Sequence, residues 1–439
     1  MNTLLHEILA AREARFAKQK QLLSEFGVPL VCFTMNIAGP VKDSPLIRRA
    51  FDEGAALLSK QLPSIVHQET SYFVTGCEGY FSVAADAKTI KAICTAIEES
   101  CPLGRLFDMD VLDIDGTKLE RKTERSCLIC GKAGRFCAAS RSHDVSLLQQ
   151  TTNEIISSHF AISDANRIAD TAVQSLLDEV HITPKPGLVD KNNCGSHTDM
   201  DILLFTKSAH ALRPYFLRCV QIGQVSSDDC FPMLRQAGME AEKQMFAATN
   251  GVNTHKGAIF TLGILCGAAG RLWKAENPVF SAQQILRKAQ ILAEPYVMAD
   301  FSHITEPKTA GERLYQTYGL NGIRGEAAAG FPSVANVSLP VYQQQLAAGK
   351  DENDAAAIAL MHLIAKVEDT NLYKRGKAEG AAFAHNAAAA LLPAPTIAQI
   401  KELDKQFIAK NLSPGGCADL LAATLFLHKL SNQGVLSHG

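Results

Sequence analysis

The sequence lacks an excess of charge of either sign. Its 439 residues include 43 Lys and Arg against 45 Asp and Glu, which gives a formal net charge of −2. Proteins that bind nucleic acid or an anionic membrane surface through general electrostatics normally carry a clear basic excess. We therefore expect neither nucleic acid nor a membrane among the partners of this chain.

Long hydrophobic runs are also missing. The longest apolar stretch covers residues 258–270, well short of the roughly 20 residues that a membrane-spanning helix needs. Charges occur throughout the first twenty residues, which lack the apolar core of a secretion signal. The 12 cysteines therefore indicate reduced thiols or a metal site rather than disulfides. We expect a soluble, cytoplasmic protein.

The composition is that of a globular protein, with 47% hydrophobic and 20% charged residues. A single hydrophobic core seldom exceeds about 300 residues, so the length predicts two domains. Residues 1–165 mix helix and strand patterns and predict an α+β domain, whereas residues 166–439 predict an all-α domain. Strands are expected at 28–37, 72–74, 80–84 and 105–114, and helices at 45–60, 88–100, 168–180, 202–222, 230–249, 258–275, 282–298, 355–367 and 420–430.

Two carboxylates stand at alternate positions of the predicted strand 105–114. Asp108 and Asp110 would project from one face, because side chains alternate along a strand, while Phe107, Met109 and Val111 would be buried on the other. Carboxylate oxygens suit Mg²⁺ and leave room for substrate phosphates. Strands at a protein surface also carry alternate Asp residues for solubility, so the pattern alone supports both readings.

A locally basic stretch follows this strand. Residues 118–141 hold seven cations against two carboxylates. A solvated loop and a site for a polyphosphate or an acidic partner are both compatible with this excess. The cations are Lys118, Arg121, Lys122, Arg125, Lys132, Arg135 and Arg141.

Three cysteines and a histidine lie within and just after the basic stretch. Cys127, Cys130, Cys137 and His143 could complete a tetrahedral shell of three thiolates and one imidazole around structural Zn²⁺. A single C-x-x-C pair is a weaker signal than two pairs. Buried reduced cysteines beside a surface histidine remain the alternative.

Three segments of the first half resemble a known family. GVPLVCFTMNIAGPVKDS (27–44), GRLFDMDVL (104–112) and RSCLICGKAGRFCAASRSH (125–143) are similar to citrate lyase holo-acyl-carrier-protein synthases of the CitX type. The resemblance implies transfer of phosphoribosyl-dephospho-CoA to a serine of the citrate lyase acyl-carrier subunit, with release of pyrophosphate. It further implies nucleotidyltransferase-like chemistry, in which Asp108 and Asp110 hold Mg²⁺ and Arg105, Arg125 or Arg135 binds the pyrophosphate.

Polar loops rich in glycine punctuate the helical half. Each alone would be an ordinary connection between helices, yet together they could converge on one site. In the loop GSHTDMD, His197, Asp199 and Asp201 could ligate a metal or could merely begin a helix. In GVNTHKGAIF, loop amides and Lys256 before a helix N-terminus suit a phosphate, although the spacing is not that of a P-loop.

These loops resemble a second family. PKPGLVD, GSHTDMD, GVNTHKGAIF, GIRGEAAAGFP and LSPGGCADLLA are similar to triphosphoribosyl-dephospho-CoA synthases of the CitG type. The resemblance implies an all-helical domain that joins ATP to 3′-dephospho-CoA and expels adenine. That reaction requires cations for the triphosphate, a carboxylate near the sugar and a group that handles a proton.

Roles for residues of the second half follow from this chemistry. Lys185, Lys256 and Arg324 are expected to hold phosphates, with Asn253 in the same binding loop. Asp199, Glu326 and Asp369 would bind Mg²⁺ or stabilise the sugar, with Glu326 counted as catalytic. His197 or His255 would transfer a proton.

Together the two halves predict a bifunctional transferase that makes the citrate lyase prosthetic-group precursor and attaches it to the carrier. The alternative is a helical N-glycosidic hydrolase of the ADP-ribose type, fused to a non-catalytic module that docks the carrier through a zinc-stapled basic surface. Dependence of adenine release on dephospho-CoA separates transfer from hydrolysis.

Overall fold

The computed structural model describes residues 2–121, 124–226 and 229–432. The chain divides into two compact units, one formed by residues 1–162 with 274–277 and the other by residues 163–273 with 278–439. Within the described ranges, no helix is long and apolar enough to cross a bilayer.

The first unit combines a four-stranded sheet with helices. Its strands are β1 (Leu30–Met35), β2 (Ile65–Phe73), β3 (Gly76–Val83) and β4 (Phe107–Leu112), and its helices are α1 (Asn2–Phe26), α2 (Pro45–Gln61), α3 (Ala87–Ser100), α4 (Gly134–Ser140) and the first part of α5 (Val145–His181). The strand order is β2-β3-β1-β4, and all neighbours pair antiparallel. The expected mixture of strands and helices is confirmed.

Aromatic packing joins the sheet to α2. Phe33 of β1 stacks on Phe51 of α2 with ring centroids 4.7 Å apart, and meets Phe107 of β4 edge to face at 5.3 Å. The alternation expected for β4 is present, because Phe107, Met109 and Val111 are buried while Asp108 and Asp110 are half-exposed. The predicted hairpin is β2 with β3, and β2 begins at Ile65, earlier than its short aromatic segment indicated.

Within the described part of the second unit, all regular elements are helices. It contains the rest of α5, then α6 (Ile202–Ala211), α7 (Arg213–Val225), α8 (Phe231–Ala248), α9 (Lys256–Leu272), α10 (Ala282–Ser302), α11 (Ala310–Tyr318), α12 (Gly322–Ala328), a π-helical turn (Val334–Ser338), α13 (Leu339–Ala347), α14 (Glu352–Lys366), α15 (Thr370–Ala389), α16 (Ile397–Ala409) and α17 (Gly415–Asn432). The all-α expectation for this half is confirmed.

Two features of these helices differ from the sequence prediction or complete it. The single helix expected over 202–222 is wrong, since α6 ends before Leu212 and α7 begins at Arg213. Pro214 stands in the first turn of α7, where its missing N–H is tolerated, and it could not continue the previous helix. By contrast, residues 153–179 lie in one continuous helix, α5, and the predicted boundary at residue 165 falls inside it.

Helix α9 is the buried centre of the second unit. Nearly every residue from Ala258 to Gly270 is buried. A Cβ added at Gly270 would overlap the carbonyl of Val220, and one added at Gly223 would overlap the carbonyl of Gly267. These glycines let the backbones of α7 and α9 touch, and α9 is thereby fixed with its N-terminus among the polar loops.

Helix α15 contains one residue in a conformation that L-amino acids rarely adopt. Lys377 has φ 52° and ψ −161°, which kinks the helix. Glycine adopts this region without steric cost, whereas other residues are strained there by about 1–3 kcal/mol.

We predict that Lys377→Gly raises the free energy of unfolding by about 1 kcal/mol, because it removes this strain. Thermal unfolding of the full chain measures the change. The control is Lys401→Gly in the exposed, regular part of α16, which should lower stability by about 1 kcal/mol. Equal destabilisation by both substitutions would show that Lys377 is not strained.

Candidate functional site

The glycine-rich polar loops of the second unit converge on a cavity of about 690 Å³. Asp201, a candidate metal ligand in the sequence, is instead the N-cap of α6 and accepts from the N–H of Leu204 at 2.8 Å. All the other residues predicted as a site in this half line the cavity except Arg324. They are Lys185, His197, Asp199, Asn253, His255, Lys256, Glu326 and Asp369. We call this space the nucleotide cavity.

His197 is held by two segments distant in sequence. Its Nδ1 accepts a hydrogen bond from the Arg375 guanidinium (3.1 Å), and its Nε2 lies 2.9 Å from Ser413 Oγ. Burial, followed by the charge of Arg375, lowers the pKa of His197. Because guanidinium can only donate, Nδ1 carries no proton, and the neutral ring therefore presents N–H at Nε2. Asp199, with a mostly exposed side chain, lies 3.9 Å from the ring.

His255 is buried at the start of α9. Its Nδ1 lies 2.8 Å from Ser208 Oγ, and its Nε2 has no hydrogen-bond partner among the described residues. Burial, with a smaller contribution from Lys185, lowers the pKa of His255 to about 3. The ring is therefore neutral at physiological pH. Its sequence-based role as a proton carrier stays a prediction, and the low pKa makes it a poor acid or base.

Lys185 and Lys256, the two lysines predicted to bind phosphate, already have carboxylate partners. The buried Lys185 Nζ donates to the side chain (2.6 Å) and to the carbonyl (2.7 Å) of Glu179. Lys256 pairs with Glu242 at 2.8 Å and is half-exposed. The amide oxygen of Asn253 accepts from the backbone N–H of Lys256 at the start of α9.

The carboxylates are held by backbone N–H groups and a hydroxyl. Asp369 accepts from the N–H groups of Asn371 (2.7 Å) and Cys417 (2.8 Å), at the beginnings of α15 and α17. Glu326 accepts from Ser333 Oγ (2.6 Å) and from the Ser333 N–H (3.2 Å). Burial raises the pKa of both carboxyls.

Three acids that line the cavity were not predicted as site residues, namely Glu179, Glu368 and Asp419. Asp419 is half-buried, and its desolvation, followed by the charge of Asp369, raises its pKa well above the usual value. A Cβ added at Gly257 would overlap its carboxylate, so Gly257 makes space for that carboxylate beside the N-terminus of α9. The position of Asp419 in the motif LSPGGCADLLA could have identified it from the sequence. Glu179, inside the long helix α5, gave no such signal.

Arg324 is the one predicted phosphate-binding residue of this half that does not line the nucleotide cavity. The prediction that it joins Lys256 and Asp199 in one cavity is wrong, because Arg324 lines a second cavity of about 460 Å³. On α12, Ile323 and Glu326 lie one turn apart and face the nucleotide cavity. Arg324 is rotated about 100° from Ile323 and projects to another side.

The first unit has its own cavity of about 890 Å³, which includes Asp108 and Asp110. Asp110 pairs with Lys118 at 2.6 Å. Burial, followed by the negative charge of Asp110, raises the pKa of Asp108. The pair thus combines one carboxylate with a cation partner and one carboxyl that resists ionisation.

The three predicted phosphate-binding arginines differ in their surroundings. Arg125 donates to the Phe107 carbonyl (2.6 Å) and to the buried Glu98, and thereby supports β4. Arg105 donates to the Ser126 carbonyl. Arg135 is almost fully exposed and lies 4.0 Å from Glu124. All three line the cavity, and Lys122 of the same basic stretch lies outside the described residues.

The cysteine and histidine residues of this region come together. The ligand atoms of Cys127, Cys130, Cys137 and His143 all lie within 4.8 Å of one another, and no other such group is found in residues 2–121, 124–226 and 229–432. Sγ of Cys130 lies 3.4 Å from Sγ of Cys137 and 3.3 Å from Nε2 of His143. Backbone N–H groups of Cys130 and Ile129 lower the pKa of Cys127 to about 6. The donor set fits a tetrahedral metal site.

Comparison with known proteins agrees with the division of the chain. Residues 3–159 match the CitX family, described as apo-citrate lyase phosphoribosyl-dephospho-CoA transferase. Residues 165–437 match the CitG family, described as ATP:dephospho-CoA triphosphoribosyl transferase.

Several curated proteins are similar over much of the chain. Protein CitXG of Haemophilus influenzae is 35% identical and covers 96% of this chain and 95% of its own length. Protein CitXG of Leuconostoc mesenteroides subsp. cremoris is 33% identical, with 97% of each chain covered. The 2-(5''-triphosphoribosyl)-3'-dephosphocoenzyme-A synthase of Pectobacterium atrosepticum is 41% identical over 60% of this chain and 88% of its own. The chain therefore belongs to the CitXG family of bifunctional transferases, with a CitX domain followed by a CitG domain.

Proposed function

We propose that ATP and 3′-dephospho-CoA react in the nucleotide cavity. The product is then transferred to the citrate lyase acyl-carrier subunit in the cavity of the first unit. The observation that carries the first assignment is the convergence of loops from five distant segments on one cavity that holds both acids and bases. Family membership supplies the two reactions.

In the first reaction, the 2′-hydroxyl of dephospho-CoA forms a bond to C1′ of the ATP ribose while the bond from C1′ to adenine breaks. The hydroxyl proton leaves, adenine takes up a proton, and the transition state resembles an oxocarbenium ion. Carboxylates stabilise such a cation, and Asp199, Glu326 and Asp419 line the cavity. Burial raises the pKa of Glu326 above its usual value, which brings the carboxyl closer to the range useful for proton transfer.

Phosphate binding is assigned to Lys185 and Lys256 of the cavity. Lys256 stands in the first turn of α9, where the helix dipole also favours anions. The ammonium group of Lys185 has three N–H donors, two of which bond to Glu179, so the third can donate to a phosphate. Mg²⁺ would be held by Asp199 and Asp369, because hard carboxylate oxygens are its preferred protein ligands, and it would neutralise triphosphate charge. His197 and His255 would donate or accept hydrogen bonds as neutral rings.

In the second reaction, a carrier serine oxygen bonds to the α-phosphorus and the bond to pyrophosphate breaks. Asp108 and Asp110 would hold Mg²⁺, because both project from one face of β4 into the cavity. The ion would offset charge on the attacking and leaving oxygens. Arg105 and the exposed Arg135 would bind pyrophosphate, whereas Arg125 acts mainly by supporting the strand.

The cysteine and histidine group is assigned to structural Zn²⁺. Cys127, Cys130, Cys137 and His143 supply all four ligands of a closed site, so the ion would fix the loop and not take part in transfer. The loop includes Ser126, whose carbonyl accepts from Arg105. Zinc would thus help to hold one phosphate-binding arginine in place.

We predict that adenine is released only when ATP and dephospho-CoA are both present. Glu326→Gln should lower kcat by about 10²-fold or more, because the amide cannot transfer the proton. Chromatographic quantification of adenine measures both effects. The matched control, Glu379→Gln on the exposed face of α15, should keep the normal rate. Release from ATP alone would favour hydrolysis over transfer.

Asp108→Asn should abolish the mass increase of the apo-carrier when the purified triphosphoribosyl-dephospho-CoA is supplied, since an amide is a poor Mg²⁺ ligand. We expect a loss of about 10²-fold or more, as for other groups that stabilise transition-state charge. Carrier binding should persist. Asp115→Asn, at an exposed turn position, is the control. Transfer at the normal rate by Asp108→Asn would contradict the metal assignment and favour a docking module.

The zinc assignment predicts about one zinc per chain by elemental analysis, because the site has four protein ligands. Cys137→Ser should remove the metal and lower the melting temperature of the first unit. Cys194→Ser is the matched control, since Cys194 is exposed and lies outside the group. A purified wild-type protein that is free of zinc and takes up none would contradict this assignment.

A further inference from the structure

The second cavity of the CitG unit has a lining that differs from the nucleotide cavity. Apolar side chains from α8 and α9 form much of it, including Leu234, Ile259, Phe260 and Ile264. The charged residues of the lining are Arg235, Lys308 and Arg324 against Glu242, Asp300, Glu306 and Glu312. Three of these carboxylates have partners: Asp300 pairs with Arg235, Glu242 pairs with Lys256, and Glu312 accepts from the N–H groups of Lys308 and Thr309. The cavity therefore combines an apolar wall with the cations Arg324 and Lys308, beside carboxylates that mostly have partners of their own. A long ligand that is apolar in one part and anionic in another suits this lining, with its anionic part at the two cations.

The two cavities are neighbours. Lys256 lines the nucleotide cavity and Ile259, one turn along α9, lines the second. The ion pair of 2.8 Å between Lys256 and Glu242 joins a residue of the first lining to a residue of the second. Helix α12 contributes Glu326 to one cavity and Arg324 to the other. A ligand larger than a nucleotide could therefore extend from one into the other.

The substrates of the proposed reaction include such a ligand. 3′-Dephospho-CoA consists of an adenosine, a diphosphate and a pantetheine arm, and its 2′-hydroxyl must lie beside C1′ of ATP. The nucleotide cavity must then hold two ribose groups and the triphosphate. The diphosphate and arm of the acceptor need a separate place, with cations for the one and apolar contacts for the other.

We propose that the second cavity binds the diphosphate and the pantetheine arm of 3′-dephospho-CoA, with Arg324 contacting the diphosphate. This inference rests on the proposed function of the nucleotide cavity. The triphosphate of one substrate and the diphosphate of the other must be bound at the same time in different places. Arg324, which lines the second cavity, would then bind the diphosphate.

Gly238 supports this assignment independently. It lies inside α8, where glycine is less favourable than alanine. No backbone approaches it closely: a Cβ added there would have Tyr215 Oη at 3.4 Å and Ile259 Cγ2 at 3.9 Å as its nearest neighbours. Packing therefore does not require glycine at this position. Its absent side chain keeps the apolar part of the cavity open.

The first test fills this space. In assays of adenine release, Gly238→Phe should raise KM for dephospho-CoA by about tenfold or more, equivalent to about 1.4 kcal/mol of lost binding. KM for ATP should stay within about twofold. Met298→Phe, which adds an aromatic ring at an exposed position of α10 outside both linings, is the matched control and should change neither value.

The second test separates the diphosphate from the arm with fragments that lack adenosine and so cannot bind as ATP does. 4′-Phosphopantetheine and pantetheine should inhibit competitively against dephospho-CoA and not against ATP. Gly238→Phe should raise the inhibition constants of both fragments. Arg324→Gln should raise only that of 4′-phosphopantetheine, by about fivefold to tenfold, because a charge-assisted hydrogen bond to phosphate is lost.

Two results would overturn the inference. One is an unchanged KM for dephospho-CoA in both folded variants. The other is competition of the fragments with ATP instead of dephospho-CoA. Failure of the wild-type protein to release adenine in the presence of dephospho-CoA would instead contradict the proposed function itself. If Gly238→Phe does not fold, Arg324→Gln with 4′-phosphopantetheine decides the question alone.

Discussion

The nucleotide cavity depends on buried carboxylates that bond to backbone N–H groups of distant segments. Asp369 joins the beginning of α15 to that of α17. Asp404 of α16 accepts from the N–H of Gly187 and from the amide of Asn193. Each carboxyl is partly deprived of water, and burial raises the pKa of both. The hydrogen bonds offset that desolvation, so loops far apart in sequence are held around one space.

In the first unit, too, a buried carboxylate bonds to a backbone N–H group of a different segment. Glu98 of α3 is buried, accepts from the N–H of Met109 and pairs with Arg125. Arg125 in turn donates to the carbonyl of Phe107. These contacts flank Asp108 on the chain and fix the strand from which it projects. In both units, a buried acid outside the proposed site residues, Asp404 in one and Glu98 in the other, orients the backbone that carries them.

Structural features whose signal lies within a short stretch of sequence could be predicted, and features that depend on packing between distant segments could not. The alternation of β4 and the spacing of Cys127 to His143 are local, and the structure shows the arrangement that each implied. The direction of Arg324 depends on where a short helix begins and how it packs, which no local pattern records. Glu179 lies within a regular helix and gives no sign of its pairing with Lys185. The break at Leu212 was visible in Pro214, but the apolar pattern on both sides outweighed it.

The protonation states of the cavity narrow the choice of the group that transfers a proton. The His197 ring accepts from a guanidinium, and the His255 ring is buried with a pKa of about 3, so neither is cationic near neutral pH. Burial shifts the pKa of Glu326 in the opposite direction. An acid becomes more useful as its pKa approaches the working pH, whereas a histidine whose pKa falls becomes less so. Within the proposed reaction, proton transfer to adenine therefore belongs to a carboxyl group, and the histidines serve to orient the sugar or the phosphates.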